Sequence, residues 1–456
     1  MTADHRPLLE GSVVRATLRF GAPLAAALTL HGLFNFVDIA FVGRLDAGAI
    51  AAVSIAGVVV MVPMLLFDAV SGAAVAALSR AYGAGDRDGF RDVARALWWS
   101  AALAGFLCLA AVTPARLVID AYFEKGSAVA IAGRDYLDIM MCGAAGMFFL
   151  MSASAVFRGR GGSFWPVVLL VGANVLNAVL NWMLIFGEWG APRLEVAGAA
   201  HATVASRGVA AVLGVGVLWV GASKADGSLG WSWPSRRDIA RLLGSGMLAA
   251  LQLSVRVVAS LVVIRIACHG HRDSVALMDG VGVANRLEMI PVFLALGWGA
   301  AATTVVGQNL GAGRVDRAFH GLLVAVVAAI VTGGAVALGL WVFRDRCFDV
   351  LAPEASAVAR EEAFRYLGWS LATFPFVAAG AVVARGLNGA GRFGLPLAVD
   401  ACAYAIVLPV AAWFAASTSG SEGAWAAYAA THIGAAVVYL IVLFGGNRRG
   451  KLQENH

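Results

Sequence analysis

Charge is what this chain of 456 residues has least of: Asp, Glu, Lys and Arg make up 14% of it, where a soluble domain carries about 25%. With 60% hydrophobic residues and a mean hydropathy of +0.79, it lacks the polar surface that keeps a folded domain in water. The five cysteines, Cys108, Cys142, Cys268, Cys347 and Cys402, are scattered through apolar runs, so neither a disulfide framework nor a metal-ligand spacing is present. HExxH is absent, and no His/Asp cluster or Ser-Lys pairing converges, which argues against an enzyme. The glycine-rich GAG at 83–85 and RGRGG at 158–162 lack the GxxxxGK[ST] spacing of a phosphate cradle and read as tight turns, excluding an ATP-driven pump. No aromatic-rich basic segment points to nucleic acid, and no cofactor or metal is expected; the net charge of +6 is spread over short loops.

Long apolar runs are what the chain does have. A span needs about 20 apolar residues to cross a hydrocarbon layer of about 30 Å. Twelve such runs are present, at about 17–43, 49–78, 93–113, 130–157, 164–187, 195–221, 239–268, 277–305, 318–343, 360–384, 393–416 and 422–444. The expected fold is an all-α polytopic membrane protein of twelve transmembrane helices. The polar interruption SKADGSLGWSWPSRRD (223–238) divides six spans from six. The expected organisation is therefore an N-terminal lobe at 1–222, a cytoplasmic linker at 223–238, a C-terminal lobe at 239–444 and a tail at 445–456. Lys and Arg in the tails and even-to-odd loops outnumber those on the opposite side by two to one, which orients both termini toward the cytoplasm.

The halves resemble each other. GAG at 83–85 lies over GAG at 311–313, each after the second span of its half, and Arg158-Gly159 with Pro166 answers Arg385-Gly386 with Pro396 after the fourth. Both copies enter from the same side, so the repeats are parallel, a duplication found in transporters that alternate access between two lobes.

Against this background a buried carboxylate is conspicuous. Asp38 lies in the first span; an acid at mid-bilayer costs about 2.5–3.5 kcal/mol on insertion scales and normally faces a bundle interior or an aqueous cavity. His31 and Asn35 precede it by seven and three residues and share its helix face. Asn174, Asn177 and Asn181 form a second polar stripe on the fifth span, and the two stripes are expected to face each other. Other intramembrane charges are Asp68 in the second span, Asp400 in the eleventh and Arg256 in the seventh. Asp68 and Asp400 are candidate cation-binding groups. Arg256 requires a partner, for which Asp400 or Glu288 qualifies as one half of a structural ion pair. Phe34, Met61, Met64 and Met147 fit an adaptable substrate pocket.

VDIAFVGRLDAGAIAAVS (37–54), RGRGGSFWP (158–166), NVLNAVLNWMLIFG (174–187), VAGAAHATVAS (196–206), NRLEMIPVF (285–293), TTVVGQNLGAGRVDRA (303–318) and RGLNGAGRFGLP (385–396) jointly resemble the multidrug and toxic compound extrusion (MATE) transporters. The resemblance implies two six-helix lobes forming a V that exchange inward and outward openings. It also implies export of cationic, amphipathic small molecules against protons or sodium ions, by a monomer in the bacterial inner membrane. The DinF-like branch is the most similar. Within it Asp38 matches the first-helix carboxylate, Pro23 a proline at which that helix bends, and Tyr136, Asn177 and Thr203 polar partners of the acid. Asn181 stands where that branch usually has a second carboxylate, and an amide cannot hold a proton. The apolar bodies of the seventh and tenth spans contain no Asp or Glu, so the NorM-like alternative site is missing and Arg286 and Glu288 are expected to serve packing or gating. Proton antiport at Asp38 is the expected mechanism. Sodium coupling through Asp38, Asn177, Asn181 and Thr203, or a lipid-linked oligosaccharide flippase of the same superfamily, are the alternatives.

Overall fold

The computed structural model describes residues 8–42, 44–45, 47–124, 126–225, 233–269 and 274–447, without the side chains of 35–40, 47, 222–225 and 446–447. Among the described residues the secondary structure is entirely helical. The helices of the first half are α1 (Val13–Val42), α2 (Ala47–Ala84), α3 (Arg87–Ala110), α4 (Val112–Tyr122), α5 (Ala128–Cys142), α6 (Ala144–Gly159), α7 (Phe164–Phe186) and α8 (Glu195–Ala225). Those of the second half are α9 (Arg236–Cys268), α10 (Ser274–Gly311), α11 (Val315–Val342), α12 (Arg344–Leu351), α13 (Ala357–Gly389), α14 (Gly394–Asp400) and α15 (Leu408–Asn447), with a π-helical turn at Ala401–Val407 joining the last two.

Among the described residues nine single helices meet the length and hydropathy required of a span. Two composite segments complete twelve. Helices α5 and α6 are bent by 43° at Gly143 and together form the fourth span. The stretch Gly394–Gly445 is 52 residues long, about 78 Å of helix at 1.5 Å per residue, too much for one crossing. It breaks at Ser419 and Gly420, whose backbone leaves helical geometry, Gly420 with φ 61°. The Tyr439 hydroxyl reaches the Pro396 carbonyl at 3.1 Å and the Asp400 carboxylate at 2.8 Å, and the rings of Tyr404 and His432 lie 5.0 Å apart. Each pair is centred close to residue 418, so the segment is a hairpin of two antiparallel spans. The turn is tight: a Cβ on Gly423 would lie 2.2 Å from the Ala415 carbonyl oxygen.

The repeat is visible in the turns. Gly85 and Gly313, the last residues of the two GAG motifs, have φ +74° and +70°, and each closes its helix with the same six-to-one bond, Asp86 N to Ala81 O at 2.9 Å and Arg314 N to Asn309 O at 2.8 Å. This is the left-handed cap for which glycine is suited. Gly161 and Gly391 do the same after the fourth and tenth spans, with φ +80° and +82° and bonds from Gly162 N to Phe157 O and from Arg392 N to Leu387 O. That equivalence sets Gly159 over Gly389 and Pro166 over Pro396, and corrects the expected match of Arg158-Gly159 to Arg385-Gly386 by three residues. The shared Arg-Gly dipeptide is a coincidence of composition; the positive-φ glycine is the geometric constraint. Gly159 and Gly389 are close-approach points, since a Cβ would lie 2.6 Å from Leu78 Cβ and 2.5 Å from Thr303 O respectively.

The contacts divide the described residues into two compact units, one comprising Leu30–Met247 and the other residues 8–29 together with those from Leu248 onward. Helices α1 and α9, the first helix of each half, are thus the ones that change units along their length. In the second unit the residues that follow the GAG turn hold the N-terminal segment: Arg317 donates to the Gly11 and Glu10 carbonyls at 2.7 and 2.8 Å. In the first unit the corresponding turn supplies Asp86, which caps α3 by accepting from Gly89 N at 2.9 Å.

Gly423→Ala is expected to lower stability by about 1–3 kcal/mol, as overpacking does. Gly434→Ala, where an added Cβ meets nothing within 4 Å, is expected to be close to neutral. Thermal unfolding of both variants in detergent checks the difference.

Candidate functional site

In the first unit the two polar stripes meet. The asparagines are the buried face of α7: Asn174, Asn177 and Asn181 are each at most 2% exposed. A chain of amides left in hydrocarbon needs partners, and α1 and α8 supply them. His31 Nδ1 lies 3.3 Å from Asn174 Oδ1. Asn177 donates to Thr203 Oγ1 at 3.2 Å, Asn181 to Asn177 Oδ1 at 3.3 Å, and the Thr203 hydroxyl to the Ala199 carbonyl at 3.0 Å. Asn174 Nδ2 finds no acceptor among the described residues.

The contacts flanking Asp38 establish the register. His31 pairs with Asn174, Phe41 packs on Phe186 at 6.2 Å, and Val42 shares a buried cluster with Ile185. The numbering difference is 143 to 145 at both ends of the stretch, so α1 and α7 run parallel over it without slipping, and the α1 backbone at position 38 is level with Asn181. The side chains of Asp38 and Asn35 lie outside the described residues. Tyr136 of α5 packs against the Val42–Ile185 cluster, close to the end of this parallel pair.

Asp68 of α2 is exposed and, with Arg207 of α8, lies within electrostatic reach of the His31 ring. Arg207 is the residue that the sequence reading missed. It follows Thr203 by four residues inside an apolar span, on the same helix face, and was detectable by the reasoning applied to Asp38. Phe34 and Met64 are half-buried and Met61 is exposed, while Met147 is buried in the core, which removes it from an open pocket. Pro23 lies on the exposed side of α1, which continues through it as a single helix.

The second unit contains a different polar centre. Asp400, at the end of α14, is completely buried and receives both arms of Arg256, Nε to Oδ2 at 2.7 Å and Nη2 to Oδ1 at 2.9 Å. Gln252 at 2.8 Å and the Tyr439 hydroxyl at 2.8 Å complete its shell. The Arg256 guanidinium also sits 5.0 Å over the Tyr404 ring. Asp400 is therefore a structural ion-pair partner and not a cavity-lining cation site: each oxygen is already taken. The π-helical turn beginning at Ala401 carries Tyr404, so the helix departs from regular geometry beside the pair, a common position for such turns.

Glu288, the other candidate partner for Arg256, instead accepts from the Tyr366 hydroxyl, and Tyr366 packs edge-on to Trp425 at 4.8 Å. Glu362, also buried, is satisfied by Arg365 at 2.7 Å, Ser421 at 3.0 Å and Trp425 Nε1 at 2.7 Å. Arg286 is exposed and lines a surface cleft with Asp279 and Glu354. No group of three or more His, Cys, Asp or Glu side chains suited to a metal ion occurs among the described residues.

A duplicated six-span helical unit, with a polar centre buried inside each copy, defines an all-α polytopic membrane protein. The chain belongs to the MatE family, whose profile matches residues 23–183 and 249–413. It is 28% identical over 324 residues to the "Probable multidrug resistance protein NorM" of Thermotoga maritima, covering 69% of this chain and 67% of that one. It is 26% identical over 481 residues to the "Multidrug resistance protein PmpM" of Pseudomonas aeruginosa, covering 98% and 96%. A solved structure titled as the outward-facing conformation of a multidrug resistance MATE family transporter of the MOP superfamily superposes over 100% of both chains with a TM-score of 0.88 at 23% identity.

Removing one partner of a buried ion pair strands the other charge at a cost of about 3–5 kcal/mol, whereas replacing both with apolar residues is often neutral. Asp400→Leu is expected to destabilise by that amount, and the double variant Arg256→Met/Asp400→Leu to regain most of it, measured by thermal unfolding in detergent.

Proposed function

We propose that the protein is a secondary active exporter of cationic, amphipathic compounds in the bacterial inner membrane. It works by alternating access, exchanges substrate for protons, and has both termini on the cytoplasmic side. The relatives named for multidrug resistance support the substrate class, and the DinF-like character of the first span supports the coupling site. The observation that carries the mechanism is the parallel register of α1 and α7: the His31–Asn174 contact at one end and the Phe41–Phe186 contact at the other bracket Asp38 at the level of Asn181.

The chemistry follows from the residue types. An acid among amides has hydrogen-bond donors for its charged form, but burial penalises that charge, so the balance between protonated and ionised Asp38 depends on access to water. A proton taken up from one side neutralises the group and removes the attraction for a cationic substrate; release to the other side restores it. Asn177, Asn181 and Thr203 donate or accept hydrogen bonds without titrating, which leaves Asp38 as the one carboxylate of this stripe. The first helix carries Pro23 within it and lacks one backbone hydrogen bond at that point, and this is where flexure would couple protonation to movement of the helix.

Asp38→Asn is expected to abolish substrate-induced proton release in everted vesicles while leaving the protein folded, and imposed pH gradients, not sodium gradients, are expected to drive efflux of cationic dyes by the native chain. Normal coupled efflux by the variant, or efflux driven by sodium alone, refutes this assignment.

A further inference from the structure

The start of the first helix is held in a way that sets the second unit apart from its copy. Leu8 and Leu9 are buried, Gly11 turns the chain with φ +64°, and Ser12 opens α1, its carbonyl accepting the first helical bond from Ala16 N at 3.0 Å. The four carbonyls ahead of that opening are all taken by side chains of the α10–α11 turn. Asn309 Nδ2 and Arg317 Nε both donate to Leu8 O at 3.3 Å, and Arg314 Nη1 donates to Leu9 O. Arg317 Nη2 and Nη1 donate to Glu10 O at 2.8 Å and to Gly11 O at 2.7 Å. All three nitrogens of the Arg317 guanidinium are thus spent on main-chain oxygens. That rigid fork ordinarily suits a carboxylate or a phosphate; here it holds a strip of backbone whose carbonyls lie outside any helix and need partners of their own.

The internal repeat supplies the control. With Gly85 set over Gly313, the positions equivalent to Asn309, Arg314 and Arg317 are Ala81, Asp86 and Gly89. None of these has a side-chain N–H, and Asp86 instead caps its own helix by accepting from Gly89 N at 2.9 Å. Both copies close the turn with the same six-to-one bond, so the turn folds without the three donors. What they add in the second copy is the grip on residues 8–11.

The part of α1 ahead of Pro23 lies against the same two helices. Thr17 and Phe20 are buried, and the Trp298 ring occupies the space a Cβ on Gly21 would take, while one on Gly321 would lie 3.6 Å from Thr17 Oγ1. A helix with a free start takes up a displacement by sliding along its neighbours, whereas one with a fixed start has to bend. Pro23, with its missing backbone bond, is the weak point where it would do so. We propose that Asn309, Arg314 and Arg317 are positioning residues for transport: they latch residues 8–11 to the α10–α11 turn and keep the start of α1 still. Flexure at Pro23 then turns the part of the helix that carries Asp38 instead of shifting the whole helix. This deepens the exporter reading above and rests on it.

The test compares the full chain with Arg314→Met/Arg317→Met, which keeps the stems and removes the donors. Hydrogen exchange in detergent reads the latch directly. Peptides covering residues 8–16 are expected to exchange about tenfold faster in the variant, as a locally opened segment does, while peptides covering 303–313 stay unchanged. In vesicles the maximal rate of cationic-dye transport, counted per dye-binding site, is expected to fall about fivefold, as a lost conformational step lowers turnover, with dye affinity unchanged. Glu10→Cys/Arg317→Cys, with the native cysteines replaced, supplies a rescue: a short bifunctional thiol reagent joining the two positions should restore the rate, and reduction should abolish it again, a reversal that lost folding does not show. Native exchange in the methionine variant, a native rate per site despite fast exchange, or no recovery on linking overturns the proposal. A native chain that moves no dye overturns the exporter reading instead, and the exchange comparison still decides the latch.

Discussion

A polar or charged side chain at membrane depth has no water to fall back on, so its hydrogen bonds have to be found inside the bundle. The interior of each unit is organised by that demand. In the second unit two buried acids meet it: Asp400 is surrounded by Arg256, Gln252 and Tyr439, and Glu362 by Arg365, Ser421 and Trp425. In the first unit it is met by weaker, neutral groups, amides and hydroxyls in sequence along α7 and α8. A satisfied ion pair holds helices together, whereas amides and hydroxyls hold each other without any charge.

The duplicated halves thus differ in chemistry while sharing a backbone. Their turns are closed by the same left-handed glycines, Gly85 with Gly313 and Gly161 with Gly391, because glycine, lacking a Cβ, enters that conformation without a steric penalty. Their fifth and eleventh spans both bear the polar residues, yet one has three asparagines and the other an aspartate followed by a π-helical turn. Small residues at the close approaches, such as Gly159 on Leu78 and Gly389 on Thr303, allow helices to touch where hydrocarbon provides no hydrophobic drive for association.

Much of the candidate site was legible because membrane helices announce their exceptions. Against an apolar background the spacing of His31, Asn35 and Asp38 and that of Asn174, Asn177 and Asn181 mark two faces, and the His31–Asn174 contact joins them. Arg207 obeyed the same rule and went unread because an arginine in the sixth span had no evident counterpart there. Asp400 was recognised as anomalous, but a periodicity argument cannot distinguish an acid that awaits a cation from one whose arginine is 144 residues away. The twelfth span was likewise readable as an apolar run, while the way its hairpin turns at Ser419 and Gly420 was not.

By itself the sequence determined the membrane environment, the count of twelve spans, the duplication and the helix faces that carry polar groups, since all of these depend on local composition and on a period of 3.6 residues. Tertiary structure alone decided which buried charges neutralise each other, which glycine equivalences are real, and that position 38 lies level with Asn181. Those outcomes depend on the distance between helices far apart in the chain, and no local pattern encodes a distance.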